Sequence, residues 1–194
     1  MREGALLIAG YYLTQLVGLM ARFGQLPDYA RLHPWLANIR DILVGMPNLE
    51  TAWPVLLREP WVEIGHAVPD LPMAEWSIQI LPTHLTVVVA VAILLGWHRR
   101  LARRHLRPAG IILAGGGATA TLLTSATLTW VACCSTPSWV VILAMAGLWI
   151  PTALSLEPLG TVIGAAGLVA LALSLVVQSA PSHLFPRRRA ANSA

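Results

Sequence analysis

The sequence predicts an all-α integral membrane protein, in which four or five apolar helices form a small bundle with an extracytoplasmic amphipathic cap. Of the 194 residues, 56% are apolar and only 11% are charged, and the mean hydropathy is +0.66. Soluble domains usually carry about 25% charged residues, so this chain has too few charges to cover a surface in water. Its apolar residues also gather into stretches near the roughly 20 residues that cross a bilayer.

Three of these stretches predict single helices. The first covers residues 4–21, where only Thr14 and Gln15 interrupt the apolar run. A cleaved signal peptide is the alternative for such a stretch, but no small-x-small cleavage site follows it, which favours a retained anchor. The second covers residues 78–97. The last covers residues 159–177, which are rich in Gly and Ala.

The region between the second and the last helix is apolar for too long to be one crossing. No charged residue occurs from Pro108 to Leu156, and a helix of this length at 1.5 Å per residue would extend about 73 Å. Pro137 is the expected break, so we predict a broken helix or a helix pair over residues 109–154. The part after residue 138 is short for a crossing. Four and five crossings both stay open, with four slightly favoured.

The charge distribution predicts the orientation of the chain. Residues 98–107 form a basic loop, and short loops rich in Arg stay in the cytoplasm. The N-terminus is then cytoplasmic as well, and the cap, residues 23–76, lies outside; between Asp28 and Glu75 it carries seven acidic residues and three arginines. Four crossings would also keep the polar tail, residues 181–194 with three consecutive arginines, inside. We expect a multi-pass protein of the bacterial inner membrane.

The arginines of the basic loop are candidates for contact with lipid or with a partner protein. Anionic lipid headgroups are the common contact of such a cluster, and an acidic partner is the alternative. Nucleic acid is not expected despite the net charge of +4, because the positive charges are concentrated where a membrane requires them. The residues concerned are Arg99, Arg100, Arg103, Arg104 and Arg107.

The cap is predicted to contain an amphipathic helix on the membrane surface. Apolar residues recur at helical spacing from Leu32 to Leu43, which is the pattern of a helix with one apolar face. Five prolines interrupt the chain after this helix, and three tryptophans of the cap are suited to the membrane interface. The cap is either a docking surface or an ordered loop without a partner.

The adjacent Cys133 and Cys134 are the first candidates for chemistry. Thiolates are soft ligands that select ions such as Cu(I) and Zn(II), whereas cysteine is also among the residues most often buried as an inert group. His84 is a second candidate, because a neutral imidazole ligates metals, haem and chlorophyll magnesium; a hydrogen bond to a neighbouring helix is the commoner role. No phosphate loop, nucleophile elbow or pair of membrane carboxylates occurs, so we do not expect an enzyme.

A series of short motifs follows the Cys pair. They are Cys133-Cys134 with Pro137, then Gly147-Leu148-Trp149, Leu156-Glu157-Pro158 and Ile163-Gly164-Ala165-Ala166. This series resembles the bacterial mercuric-ion transporters of the MerT type, and with the Gly-rich run before the Cys pair the resemblance extends over about residues 114–178. In that family an adjacent Cys pair in a membrane helix receives Hg(II) from outside, which implies that Cys133 and Cys134 bind the ion. The family usually has a second, cytoplasmic Cys pair, and this chain has no further cysteine.

Two functions are predicted from these features. The first is a soft-metal ion carrier, with the Cys pair as thiolate ligands. The alternative is a non-catalytic accessory subunit of a larger respiratory or photosynthetic complex, which would pack against other membrane-protein chains through its cap and its Gly/Ala-rich helices. A membrane thiol-redox protein is disfavoured, because adjacent cysteines form disulfides far from the preferred geometry.

Overall fold

The structure of the chain, a computed structural model, describes residues 2–71, 73–102, 108–130 and 134–179. Within these residues it contains eight helices and five strands. The helices are α1 (Arg2–Phe23), α2 (Trp35–Gly45), α3 (Leu49–Leu56), α4 (Pro82–Ala102), α5 (Pro108–Thr124), α6 (Val140–Met145), α7 (Ile150–Ser155) and α8 (Leu159–Ser179). The strands are β1 (Tyr29–Leu32), β2 (Val62–Ala67), β3 (Ala74–Ile80), β4 (Leu128–Trp130) and β5 (Cys134–Ser138).

The prediction of an all-α protein is wrong for two parts of the chain, which together form one antiparallel sheet in the order β1-β2-β3-β4-β5. Three strands come largely from the predicted cap, and β4 and β5 lie inside the region predicted as a broken helix or helix pair. In β3, Trp76 and Ile78 alternate with Ser77 and Gln79, which is the period of two that a strand requires. This alternation is short, and the apolar residues of α4 follow almost immediately. Hydropathy alone therefore cannot distinguish the strand from the beginning of the helix.

Large apolar side chains form the core of the sheet. Leu19 of α1, Trp76 and Ile78 of β3, and Leu128 of β4 are at most 3% exposed. Phe23 stacks on Trp76, with the ring centroids 6.3 Å apart. Full burial of each such side chain contributes about 1.5–3 kcal/mol. The end of α1 is therefore fixed against the sheet.

Three helices, α1, α4 and α8, are long and apolar enough to cross a membrane. The helix α5 has 17 residues, about 26 Å at 1.5 Å per residue. The four helices run alternately toward and away from the sheet: α1 ends against β3, α4 follows β3, α5 leads into β4, and α8 begins beside Trp139, which follows β5. At the opposite end of the bundle, called here the far end, Arg99 Nη1 lies 3.6 Å from Glu3 Oε2 and Ser174 Oγ lies 3.3 Å from His98 Nδ1.

Glycine and threonine make the contact between α5 and α8, the most extensive contact between two helices. A Cβ on Gly117 would lie 2.5 Å from the carbonyl oxygen of Gly167, and a Cβ on Gly167 would overlap the hydroxyl of Thr121. Thr121 also donates a hydrogen bond across the interface to the carbonyl oxygen of Gly164 at 3.2 Å. Such small and hydroxyl residues let apolar helices approach closely in lipid.

The short helices differ from the sequence prediction in two ways. The amphipathic helix of the cap is α2, which begins at Trp35, because Leu32 belongs to β1. It has no buried residue, and its Leu36 and Val44 are 67% and 80% exposed. The second part of the predicted helix pair contains α6 and α7, which have six residues each. Neither of these two helices is long enough to cross a membrane.

Candidate binding cavity between the sheet and the helices

A cavity of about 760 Å³ lies where the sheet meets the ends of α4, α5 and α8. Its volume falls within the range of about 300–1,000 Å³ that is typical of small-molecule sites. Segments that are far apart in the chain contribute to its wall, and the polar residues that line it include Arg58, Gln79, His84, Ser138, Glu157 and Thr161. The fold, rather than any local motif, assembles this site.

Arg58 reaches the cavity from the segment that follows α3. The hydroxyl of Thr83, in the first turn of α4, donates a hydrogen bond to the carbonyl oxygen of Leu57 at 3.1 Å. The backbone N–H of Arg58 donates to the carbonyl oxygen of Val55 at 3.0 Å. These two bonds hold the main chain beside Arg58 against α4, while the Arg58 residue itself is exposed. Its positive charge therefore lies at the rim of the cavity.

His84 lies in the first turn of α4 and is half-buried in the cavity wall. Its Nδ1 lies 3.0 Å from the carbonyl oxygen of Ser125. Because a carbonyl oxygen only accepts hydrogen bonds, Nδ1 carries the proton, and Nε2 of the neutral ring then carries a lone pair. His84 thus forms the hydrogen bond to a neighbouring segment that is common for a histidine in an apolar helix. It also presents one ring nitrogen that can accept a hydrogen bond or ligate a metal.

Glu157 lies in the turn before α8 and also lines the cavity. The indole Nε1 of Trp139 donates a hydrogen bond to its backbone carbonyl oxygen at 3.5 Å, and the N–H of Gly160 donates to the same oxygen at 3.0 Å. Gly160 is needed at this close approach, since a Cβ would overlap the indole of Trp139. The turn is fixed against the end of the sheet, and the exposed Glu157 lies at the rim.

Most hydroxyl groups in the wall are bonded to the main chain. Thr121, Thr124, Ser125 and Thr127 each donate a hydrogen bond to a backbone carbonyl oxygen of the protein. A hydroxyl has a single O–H, so these groups keep only acceptor capacity for a ligand. The groups with further capacity to recognise a ligand include the guanidinium of Arg58, the imidazole Nε2 of His84, the carboxylate of Glu157 and the carboxamide of Gln79.

The two charged side chains of the cavity, Arg58 and Glu157, do not neutralise each other. Neither takes part in an ion pair within the part of the chain that the structure describes. Both residues are exposed at the rim, so water solvates them in the absence of a ligand. A molecule that carries one negative and one positive group can interact with both.

The structure describes the predicted cysteine site only at the main chain of Cys134. Cys134 begins β5, where its main chain pairs with Trp130 of β4, and Cys133 lies outside the described residues. The prediction that the Cys pair belongs to a broken helix is therefore wrong at Cys134. Ser138, which lines the cavity, is the last residue of β5. The pairing of β5 with β4 is irregular between Cys134 and Ser138. Metal binding by the Cys pair stays a prediction.

Among the residues that the structure describes, no group of three or more His, Cys, Asp or Glu side chains is arranged to hold a metal ion. The basic loop is described only in part. Arg99 and Arg100 lie in the last turn of α4 and are exposed, whereas Arg103, Arg104 and Arg107 fall outside the described residues. Contact of these arginines with lipid or with a partner stays a prediction.

The two charged residues of the cavity are not identified by the sequence alone. Glu157 is the only acidic residue after Glu75, and this isolation within an apolar region is the signal that marks it. Arg58 has no comparable signal, because it is one of three arginines in a segment with seven acidic residues. Only the contact of Thr83 with the main chain before Arg58 places this charge beside α4.

The fold defines a helical protein whose three longest helices have the length and composition of membrane spans and whose antiparallel sheet covers one end. No protein-family model, curated protein or solved structure matches the chain.

Proposed function

We propose that the chain is a polytopic inner-membrane protein that binds a small molecule in the cavity between the sheet and the helices, and that it is not an enzyme. The observation that carries the proposal is the cavity of about 760 Å³ with Arg58, His84 and Glu157 in its lining. A largely apolar cleft with a few converging polar groups is the usual form of a ligand site. Charged groups at the rim of a mainly apolar cavity suit the recognition of a ligand.

In this proposal α1, α4, α5 and α8 cross the membrane and the far end lies in the cytoplasm. Arg99 and Arg100 are at the far end of α4, which agrees with the enrichment of arginine on the cytoplasmic side. Glu3 lies at the same end, beside Arg99, so the N-terminus is cytoplasmic. The sheet and the cavity are then extracytoplasmic, and the ligand enters from outside or from the outer leaflet.

The binding proposal is tested by filling the cavity. Ala165 and Ala166 are both exposed on α8, but only Ala165 lines the cavity. The protein is purified in a mild detergent and weighed intact by native mass spectrometry. We expect the wild type and Ala166→Phe to retain a small molecule that Ala165→Phe has lost. Retention of the same molecule by all three proteins would contradict the proposal.

A soft-metal ion carrier is a second proposal, and its ligands would be Cys133 and Cys134. The position of Cys134 on the strand whose other end lines the cavity favours a link between the two sites. Titration with Hg(II) and Cu(I) tests it against the double variant Cys133→Ser, Cys134→Ser. Tight binding of one ion per chain that disappears in the variant would support the carrier, and equal weak binding would contradict it.

An accessory subunit is a third proposal, favoured by the exposed apolar residues of α2. Leu36 and Val44 lack a covering element within the described residues and are more than half exposed. A partner chain in a membrane complex would cover them. Co-purification of other membrane chains at a fixed ratio, reduced by Leu36→Gln with Val44→Gln, would support this role, and a chain that purifies alone would contradict it.

A further inference from the structure

The cavity extends from its charged rim into the apolar part of the bundle. Arg58 and Glu157 are exposed at the rim, whereas the half-buried Val87 and Leu168 line its deeper wall. Leu168 lies nine residues after Leu159, where α8 begins, which is about 14 Å along the helix axis. The polarity of the wall thus falls with depth, from two charges to aliphatic side chains.

Below this level the bundle is closed. Val91 of α4 and Leu171 of α8 are fully buried in one cluster. The two helices therefore pack together at this level, whereas nearer the sheet the cavity lies between them. Ala165 lines the cavity and is at the same time exposed on α8. The next residue, Ala166, is exposed but does not line the cavity. The cavity therefore borders the outer face of α8, which faces lipid when this helix crosses a membrane.

We propose that the cavity binds a phospholipid whose headgroup carries a phosphate and a primary ammonium, as phosphatidylethanolamine does; this inference rests on the binding function proposed above. Arg58 pairs with the phosphate, and Glu157 pairs with the ammonium. The acyl chains lie along Val87 and Leu168 and leave the cavity beside Ala165. A ligand with a zwitterionic head and apolar chains matches the charges and the depth of this cavity, and its position beside the outer face of α8.

His84 gives the site its preference among headgroups. Its Nδ1 proton is used by the carbonyl oxygen of Ser125, so Nε2 accepts a hydrogen bond and does not donate one. A primary ammonium supplies N–H donors for Nε2 and for Glu157. The quaternary ammonium of phosphatidylcholine supplies none, and phosphatidylglycerol has no positive charge to pair with Glu157.

The test uses the full chain in detergent after removal of bound lipid. Dioctanoyl phosphatidylethanolamine, phosphatidylcholine and phosphatidylglycerol are titrated separately, and bound lipid is counted by native mass spectrometry. We expect phosphatidylethanolamine to bind about tenfold more tightly than the other two, the effect of at least one charge-assisted hydrogen bond. Equal affinity for the three lipids would overturn the inference.

Matched variants distinguish the effects of Arg58 and Glu157 from the effect of removing any exposed charge. Glu157→Gln removes the charge that pairs with the ammonium and is expected to reduce the preference for phosphatidylethanolamine over phosphatidylglycerol, whereas Glu50→Gln, which removes an exposed carboxylate in α3, keeps it. Arg58→Gln is expected to weaken binding of all three lipids severalfold, whereas the exposed Arg40→Gln in α2 does not. An unchanged preference in Glu157→Gln would overturn the assignment.

Two further outcomes distinguish this inference from the proposed function. Free phosphoethanolamine that binds as tightly as the lipid would identify a soluble ligand; it would overturn the lipid and leave a binding cavity. A lipid preference that persists in Ala165→Phe would place the lipid outside the cavity and overturn the inference. The lipid is assigned to the cavity when Ala165→Phe abolishes the preference and Ala166→Phe retains it.

Discussion

The contact of the sheet with α1 and the contact of α5 with α8 are built from different residues. Where the sheet meets α1, the contact is made by large side chains such as Leu19 and Trp76, which are 0% exposed. Where α5 meets α8, it is made by Gly117, Thr121 and Gly167. In water, burial contributes about 25 cal/mol per Å² of apolar surface. In lipid that drive is absent between helices, and close approach and hydrogen bonds replace it. The residues of the first region are those expected of a core formed in water, and the residues of the second are those expected of a helix contact formed in lipid.

The largest expected effect on the free energy of unfolding comes from the core between the sheet and α1. Trp76→Ala removes the largest fully buried side chain of the core and is expected to lower the free energy of unfolding by about 3–5 kcal/mol. Trp53→Ala serves as the control, because Trp53 is 58% exposed. Chemical denaturation in detergent measures both. Similar losses in the two variants would show that the sheet core does not stabilise the fold as described.

The addition of a single methyl group tests the contact between α5 and α8. Gly167→Ala places a Cβ against Thr121 and the carbonyl oxygen of Gly117, and overpacking of this kind costs about 1–3 kcal/mol. Gly116 lies on α5, the other helix of this contact, but a Cβ there meets nothing within 4 Å. The control variant Gly116→Ala is expected to be neutral or to stabilise by up to about 1 kcal/mol, since alanine favours helix. Equal effects would contradict the close α5–α8 contact.

A pH-dependent effect is expected at Tyr29 in β1. Burial, and then the hydrogen bond that Tyr29 donates to Glu63 Oε1 at 2.9 Å, raise the pKa of Tyr29 to about 12. Between its ordinary pKa of 10.0 and this value, the folded protein retains a proton that the unfolded chain releases. The free energy of unfolding should therefore fall as the pH rises through this window.

Tyr29→Phe isolates that contribution, because the other two tyrosines titrate in both proteins. The variant is expected to show a smaller fall in the free energy of unfolding between about pH 9 and about pH 11.5. Denaturation at the two pH values measures the difference. The same fall in variant and wild type would mean that Tyr29 ionises alike in the folded and the unfolded chain.

The smallest expected effect concerns the ion pair at the far end. Arg99 and Glu3 approach to 3.6 Å, but their side chains are 72% and 67% exposed. Exposed pairs contribute about 0–1 kcal/mol, so Arg99→Gln should change the free energy of unfolding by less than about 1 kcal/mol. The change should vanish at high salt, which screens exposed charges. A larger, salt-independent loss would indicate that this end is packed against protein.

The sequence predicts the parts of the fold that depend on long apolar stretches. The residues predicted as helices at 4–21 and 159–177 lie within α1 and α8, because twenty apolar residues leave few alternatives. The sheet is not predicted, because β3 is short and continues into α4, and because β4 has only three residues. Strand pairing between residues 74–80 and 128–130 is a long-range contact, and no local pattern encodes it.

The residues of the cavity are likewise predicted only in part from the sequence. His84 is identified from the sequence, since an ionisable side chain in an apolar helix is conspicuous. Arg58 and Glu157 lie 99 positions apart in the sequence, and only the packing of α4 and α8 under the sheet brings both to one cavity. The Cys pair, which is conspicuous in sequence, does not reveal that Cys134 lies in a strand.

Reagent access to single cysteines tests the central claim most directly: the sheet and the charged rim of the cavity lie on the extracytoplasmic side of the membrane, and the far end lies in the cytoplasm. In the Cys133→Ser, Cys134→Ser background, Glu50→Cys places a thiol in the exposed cap and Arg100→Cys places one at the exposed far end of α4. Sealed right-side-out vesicles are treated with a membrane-impermeant maleimide. We predict labelling of Glu50→Cys in sealed vesicles and of Arg100→Cys only after permeabilisation. The reverse pattern, or labelling of both in sealed vesicles, would contradict the claim.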